Sequence, residues 1–194
     1  MNIYIYENNR ALNLSPISLT RPSFDIRCGA LTFIERLSIL LPDENIHLCI
    51  RPELEDVTKE TFPGHHVNPN HIKEGIWLLG NVLWGTEDIS AIKTQKSTLF
   101  FSNNTLIAAN LSKEAGQKWI ESGGPILNDL KNDYARCDLN TPVVEFLWEA
   151  VALTKQQIEK DVQFFMEFSS ETSTFTGIEL FPIFSDTNSI FFSS

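Results

Sequence analysis

Residues 2–50 run strand, long connection, helix, strand, and that order leaves few folds open. Asn2–Tyr6 is a short run rich in Ile and Tyr, the composition of a strand. Within Gly29–Leu41, Leu31, Ile34, Leu37 and Leu41 recur at helical spacing, and Pro42 stops the run. Ile46–Ile50 predicts a second strand. A β–loop–α–β opening leads into a doubly wound α/β unit. The expected fold is therefore α/β and Rossmann-like, a mixed, mostly parallel sheet with flanking helices.

The connection carries the most chemistry. Leu14–Glu35 holds Arg21 and Arg27 among Pro16, Pro22 and Gly29, between the first strand and the first helix. In an α/β domain that junction lies at the carboxyl end of a strand and near a helix N-terminus, where ligands bind. Residues 1–36 contain Arg10, Arg21, Arg27 and Arg36 against Glu7, Asp25 and Glu35, although the whole chain has a net charge of −10. Five of the six arginines precede Pro52, and no lysine precedes Lys59. Arginine suits fixed, bidentate contacts to phosphate or carboxylate. The alternative is that these arginines pair with Asp25 and Glu35 inside the fold.

Farther along, Pro52–Glu60 predicts a short acidic helix, and residues 62–74 a loop. Ile76–Leu79 and Val82–Trp84 read as strands interrupted by Gly80-Asn81. Thr98–Phe101 and Thr105–Ala109 flank Ser102-Asn103-Asn104, a tight hairpin, because Asn tolerates positive φ. Ser112 caps a helix ending at Gly123-Gly124. Thr141-Pro142 predicts the start of a long helix. Val144, Trp148, Val151, Ile158, Val162 and Phe165 would give it one apolar face for about six turns. The expected domain is 1–165, followed by an extended Ser/Thr/Phe-rich tail at 166–194. The apolar residues of that tail need a partner: this domain, a second copy in a homo-oligomer, or a continuation of the chain.

Composition excludes several classes. The net charge argues against a general binder of nucleic acid or anionic membrane. No apolar run is long enough to cross a bilayer, and the first residues do not read as a secretory leader. Cys28, Cys49 and Cys137 are widely spaced, with no C-x-x-C pair, which fits a reducing cytoplasm. His65, His66 and His71 lie in a loop without metal-ligand spacing. A Walker A loop, a G-x-G-x-x-G fingerprint and a G-x-S-x-G elbow are absent. Asp133, Asp138 and Asp161 are candidates to contribute a carboxylate to a magnesium site, and the alternative, which their type favours, is that they are surface or capping acids.

Residues 14–22, LSPISLTRP, resemble the segment after the glycine-rich loop of sugar nucleotidyltransferases, roughly GGxGTRLxPLTxxRPKP. Pro16, Thr20, Arg21 and Pro22 fall at the matching spacing. The chain is similar above all to a GlmU-like subgroup with a pattern near PLTxTRPxxxLRxGxLTIxEK. It matches that pattern at Pro16, Thr20, Arg21, Pro22, Asp25, Arg27, Gly29, Leu31, Thr32 and Glu35. Weaker matches are Ile107-Ala108-Ala109, and Thr141-Pro142 with Asp161.

The resemblance implies a nucleotide-diphospho-sugar transferase-like domain. Its reaction would convert a nucleoside triphosphate and a sugar 1-phosphate into a nucleotide sugar and pyrophosphate. Arg21 and Arg27 would be catalytic, while Arg10, Thr20, Gly29 and Gly80 would bind substrate. Asn81 and Asp161 would ligate Mg2+. In such proteins a β-helix of hexapeptide repeats, often an acyltransferase, usually follows. The departures are specific. Glu7-Asn8-Asn9-Arg10-Ala11-Leu12-Asn13 replaces the glycine-rich loop, Ser23 replaces the lysine after Arg-Pro, and Asn81 replaces the metal-binding Asp. The alternative function is a non-catalytic domain that binds a nucleotide or sugar phosphate, or that serves assembly with a β-helix module.

Overall fold

A computed structural model describes residues 1–124 and 133–171. In chain order these form β1 (Asn2–Tyr6), β2 (Arg27–Cys28), β3 (Leu31–Thr32), α1 (Phe33–Leu40), β4 (Asn45–Cys49), α2 (Glu55–Thr61), β5 (His66–Val67), β6 (Gly75–Leu79), α3 (Thr86–Thr94), β7 (Thr98–Ser102), β8 (Thr105–Leu111), α4 (Lys113–Glu121), β9 (Ala135–Asp138) and α5 (Leu147–Glu171). The fold is mixed α/β, a central sheet flanked by helices, as expected.

The sheet has seven strands in the order β5-β4-β1-β6-β8-β7-β9. β1 is paired in parallel on both sides, to β4 and β6, and β4 pairs in parallel with β5. β8 runs antiparallel to both β6 and β7, and β9 is parallel to β7. Every residue of β6 and of β7 is buried, so both faces are covered there.

In-register side chains make an aromatic ladder across the parallel half. His66, His47, Tyr4 and Trp77 stand on neighbouring strands β5, β4, β1 and β6. Their ring centroids are 5.5, 4.8 and 4.6 Å apart in that order. Trp119 of α4 closes the stack 5.0 Å from Trp77. The ladder accounts for His66, which packs as an aromatic surface.

Local signals act where backbone chemistry decides. Asn103 and Asn104 take φ of 47° and 63° in the β7–β8 turn. Ser112 accepts the Ala115 N–H and starts α4. α1 begins at Phe33, later than Gly29, because residues 27–32 fold into the β2–β3 hairpin. Thr32 and Glu35 then form a reciprocal capping box.

Three expectations are corrected. Val82–Trp84 is no strand; it contributes only an isolated bridge, Val82 to Val143. Thr141-Pro142 does not open the long helix. Thr141 is buried, donating to Asp88 and accepting at its carbonyl from Ser102, while Glu149 caps α5 by accepting the Glu145 and Phe146 N–H groups. Nor is the apolar stripe of α5 its inward face. Trp148, Val151, Ile158 and Val162 are 65%, 74%, 43% and 42% exposed, while Ala150, Gln157 and Asp161 point inward. α5 also continues to Glu171, past the expected boundary at 165. The rest of the expected tail, residues 172–194, lies outside the described residues. Among the described residues no helix is long and apolar enough to cross a membrane.

Trp77 is fully buried in the ladder. Trp77→Ala should destabilise the fold by about 3–5 kcal/mol. The check is a lower urea midpoint with an unchanged slope.

Candidate functional site

Strand order reverses at β1. The chain first winds outward through β4 and β5, then returns to β6 on the other side of β1. In open α/β sheets the crevice beyond the carboxyl ends of the strands at such a reversal takes the ligand. Here Glu7 follows β1, Arg51 lies just past β4, and Gly80-Asn81 follow β6.

The connection between β1 and β2 lies over this crevice in three 3-10 turns, Asn9–Leu14, Ile17–Leu19 and Ser23–Asp25. Phe24 is fully buried against Gly80, where a Cβ would stand 3.1 Å from the Phe24 ring carbon Cδ1. The Gly80 N–H donates to the Tyr6 carbonyl at 2.9 Å. Glycine at 80 thus lets the connection close onto the end of the sheet.

Beneath the connection is a buried polar cluster. The Glu7 side chain is 2% exposed. Its Oε1 accepts the Ser23 N–H at 2.7 Å, and its Oε2 accepts the Arg51 N–H at 3.4 Å. Arg51 Nε stands 3.2 Å from Oε2 but makes no hydrogen bond to it. Arg51 Nη2 donates to the Ser18 carbonyl at 2.6 Å. The hydroxyls of Ser18 and Ser23 are buried without a hydrogen-bond partner.

The expected site residues fall into separate groups. Arg21 is exposed and pairs with Asp25 at 3.7 Å. Burial raises the Asp25 carboxyl above its usual value, Arg21 and Arg27 draw it down, and Glu35 adds to the rise. Arg27 is exposed, pairs with Glu35 at 3.5 Å and donates to the Ala30 carbonyl. Asp25 and Glu35 therefore do hold arginines. Thr20 is exposed and donates to the Ile17 carbonyl. Arg10 reaches away from these, to Thr105 and Glu145. Asn81 is buried and clamps Val144, donating from Nδ2 to its carbonyl at 2.7 Å and accepting its N–H at 2.9 Å.

Gly29 and Asp161 meet elsewhere, under the β2–β3 hairpin. Gly29 has φ of +90°, and a Cβ there would lie 2.5 Å from Asp161 Oδ2. Asp161 is fully buried. It is paired with Arg36 and also accepts from Gln157 and the Ala30 N–H. Burial by itself raises this carboxyl, but the hydrogen bonds from Arg36, Gln157 and Ala30 outweigh it, and the group sits below its usual value. Beside this pair opens a cleft of about 260 Å3, lined by Arg36, Trp84, Asp88, Thr141, Gln156 and Lys160 among others.

Metal donors are sparse. Among the described residues no group of three or more His, Cys, Asp or Glu side chains is placed to hold an ion. Asp161 has both oxygens committed to donors, and Asn81 offers at most a neutral amide oxygen. Asp138 is exposed and paired with Arg136, and Asp133 is exposed. This donor set does not fit a hard divalent cation, which favours carboxylates. Cys28 is buried against α5, and burial raises its thiol, so it is a packing residue.

Glu7, Arg51, Ser18, Ser23 and Arg36 are the residues that pattern reading missed. One signal was available. An acid directly follows the first strand, an arginine lies just beyond the second, and Tyr6 and Cys49 at the ends of those strands are in register.

The family profile described as sugar nucleotidyl transferase matches residues 3–169. Comparison with curated proteins finds no match. The chain belongs to the sugar nucleotidyl transferase family.

Asp161→Asn should leave Arg36 as an uncompensated buried charge and cost about 3–5 kcal/mol near neutral pH. The folded carboxyl titrates below its unfolded value. Its stabilisation is therefore complete above the ordinary Asp value of about 3.9 and is lost as pH falls through the lower folded value. Thermal melts of both proteins between pH 7 and pH 2 check this: the difference in Tm should shrink at the acid end.

Proposed function

We propose that this family member acts on a nucleoside triphosphate and a sugar 1-phosphate at the carboxyl edge of its sheet. The sugar phosphate oxygen attacks the α-phosphorus, the bond to the β-phosphate oxygen breaks, and pyrophosphate leaves with that electron pair. The observation that carries this reading is the family match over residues 3–169, which includes the arginine-bearing connection over the strand reversal. Such chemistry rests on positioning and on cations that meet charge developing on the transferring phosphate.

Arg21 is the main phosphate contact in this reading. Its pair with Asp25 is exposed and long at 3.7 Å, so releasing it costs little. Thr20 and Gly80 shape its approach, while Arg27 on β2, Arg10, turned toward Glu145, and Gly29, packed against Asp161, would have to be brought in as helpers when substrate binds. Asn81 replaces the charged metal ligand expected there, so any Mg2+ accompanies the triphosphate oxygens and no step is assigned to it.

A second reading is favoured by one observation. Residues 7–13, Ser23 and Asn81 stand where the resemblance expects the glycine-rich loop, the lysine and the metal-binding Asp, groups whose loss weighs on turnover more than on binding. On this reading the domain binds a nucleotide or sugar phosphate without turning it over, and serves assembly with a β-helix module.

Turnover of the wild type and Arg21→Ala, measured across nucleoside triphosphates and sugar 1-phosphates, tests the first reading. Arg21→Ala should lower kcat by about 10²-fold; equal rates would remove Arg21 from the mechanism. Thermal shifts with UTP, dTTP, CTP and GTP separate the two readings. A shift that needs magnesium supports transfer, and one that does not supports binding alone.

A further inference from the structure

We infer that α5 pairs with α5 of a second copy of this chain, antiparallel, through the apolar stripe that the domain leaves exposed. The inference concerns a different face from the proposed reaction and stands independently of it.

Trp148, Val151, Lys155, Ile158 and Val162 are spaced three and four residues apart in alternation, and Phe165 continues the series. This is the a/d spacing of a helix that packs lengthwise along another helix. It is a narrower seam than the face a helix turns to a globular core. Trp148, Val151, Ile158 and Val162 are all exposed, as is Met166 at the far end of the seam. Ala150, Gln157 and Asp161 face the domain, and the seam lies roughly a third of a turn away from them. The domain therefore grips α5 by one face, and a partner helix can lie along the other.

Length and charge identify the partner as a second copy. Among the described residues, α1 to α4 have seven to nine residues each, against 25 in α5. Of these helices, another α5 alone carries a seam of matching length. In an antiparallel pair, a positions meet d positions. Trp148 then lies level with Phe165, Val151 with Val162, and Lys155 with Ile158, and a two-fold axis repeats each contact. Lys155 is the one charged side chain in the seam, and Glu159 borders it one turn on. Among the described residues neither has an ion-pair partner, and both are exposed. The antiparallel register sets Lys155 beside Glu159 of the other copy, so two reciprocal ion pairs form. A parallel register would set the two Lys155 side chains against each other. Exposed Gln156 and Gln163 complete a polar rim on the Glu159 side.

Sedimentation velocity of the full chain across a range of concentrations tests this. The wild type should be a dimer. Val151→Glu puts a charge into the seam and should be a monomer at the same concentrations. Lys155→Glu and Glu159→Lys should each weaken the dimer at least about tenfold, because two ion pairs are lost and two like-charge contacts replace them. An equal mixture of these two variants restores both pairs and should dimerise like the wild type. A mixture as weak as its components would overturn the inference, as would a dimer indifferent to Val151→Glu. Tighter pairing of wild type with Lys155→Glu than of wild type with itself would mean a parallel pair and overturn the arrangement. A wild type that stays monomeric would also overturn it. In that case a lower Tm for Val151→Glu would assign the stripe to residues 172–194 of the same chain, and an unchanged Tm to a partner of another kind. Should Val151→Glu fail to fold, the mixed charge variants decide by themselves, since Lys155 and Glu159 are exposed in one copy.

Discussion

A carboxylate taken out of water must collect donors, and this constraint organises both ends of the domain. Glu7 gathers the Ser23 and Arg51 N–H groups and stands beside the Arg51 guanidinium, joining the end of β1 to the connection and to the end of β4. Asp161 gathers Arg36, Gln157 and the Ala30 N–H, joining α5 to α1 and to the β2–β3 hairpin. Each acid ties together segments that are distant along the chain. The hydrophobic ladder around Trp77 supplies cohesion, but it is compatible with many placements of the peripheral segments. The two acids select one.

The Asp161 contact also explains an arrangement that hydrophobicity alone would reverse. Docking Asp161 and Gln157 inward turns Trp148, Val151, Ile158 and Val162 outward. α5 therefore meets the domain through Leu147, Ala150 and Leu153 at its start and through Gln157 and Asp161 farther along, and leaves its apolar stripe toward solvent. The ion pair outranks the stripe because an unpaired buried charge costs more than the exposure of a few aliphatic side chains.

At the candidate site the same logic produces a contrast of charge. Arg21, Arg27 and Arg10 are exposed on or near the connection, each in a solvent-screened pair. Glu7 lies beneath them, paired to Arg51. The rim is cationic, and the floor holds an anion of its own. In this family member the departures from the glycine-rich pattern are thus structural parts of a different arrangement.

Much of this was legible in residue order. The opening strand, the helix with its leucine spacing, the second strand and the Asn103-Asn104 hairpin all follow from local backbone preference and short-range periodicity. The arginine-bearing connection stands out in the sequence by charge and by its prolines, and Asp25 and Glu35 within reach of it pair with Arg21 and Arg27. Local signals misled where a long-range partner intervened. Thr141-Pro142 has the chemistry of a helix start, yet Asp88 and Ser102 claim Thr141. Val82–Trp84 has strand composition, yet only one residue finds a bridge. Residue order established the α/β class, the junction and its charge, because those depend on neighbours a few positions apart. Tertiary structure decided that Glu7 meets Arg51, that Asp161 meets Arg36, and which face of α5 turns inward. Those outcomes depend on which buried charges find each other once the sheet has formed.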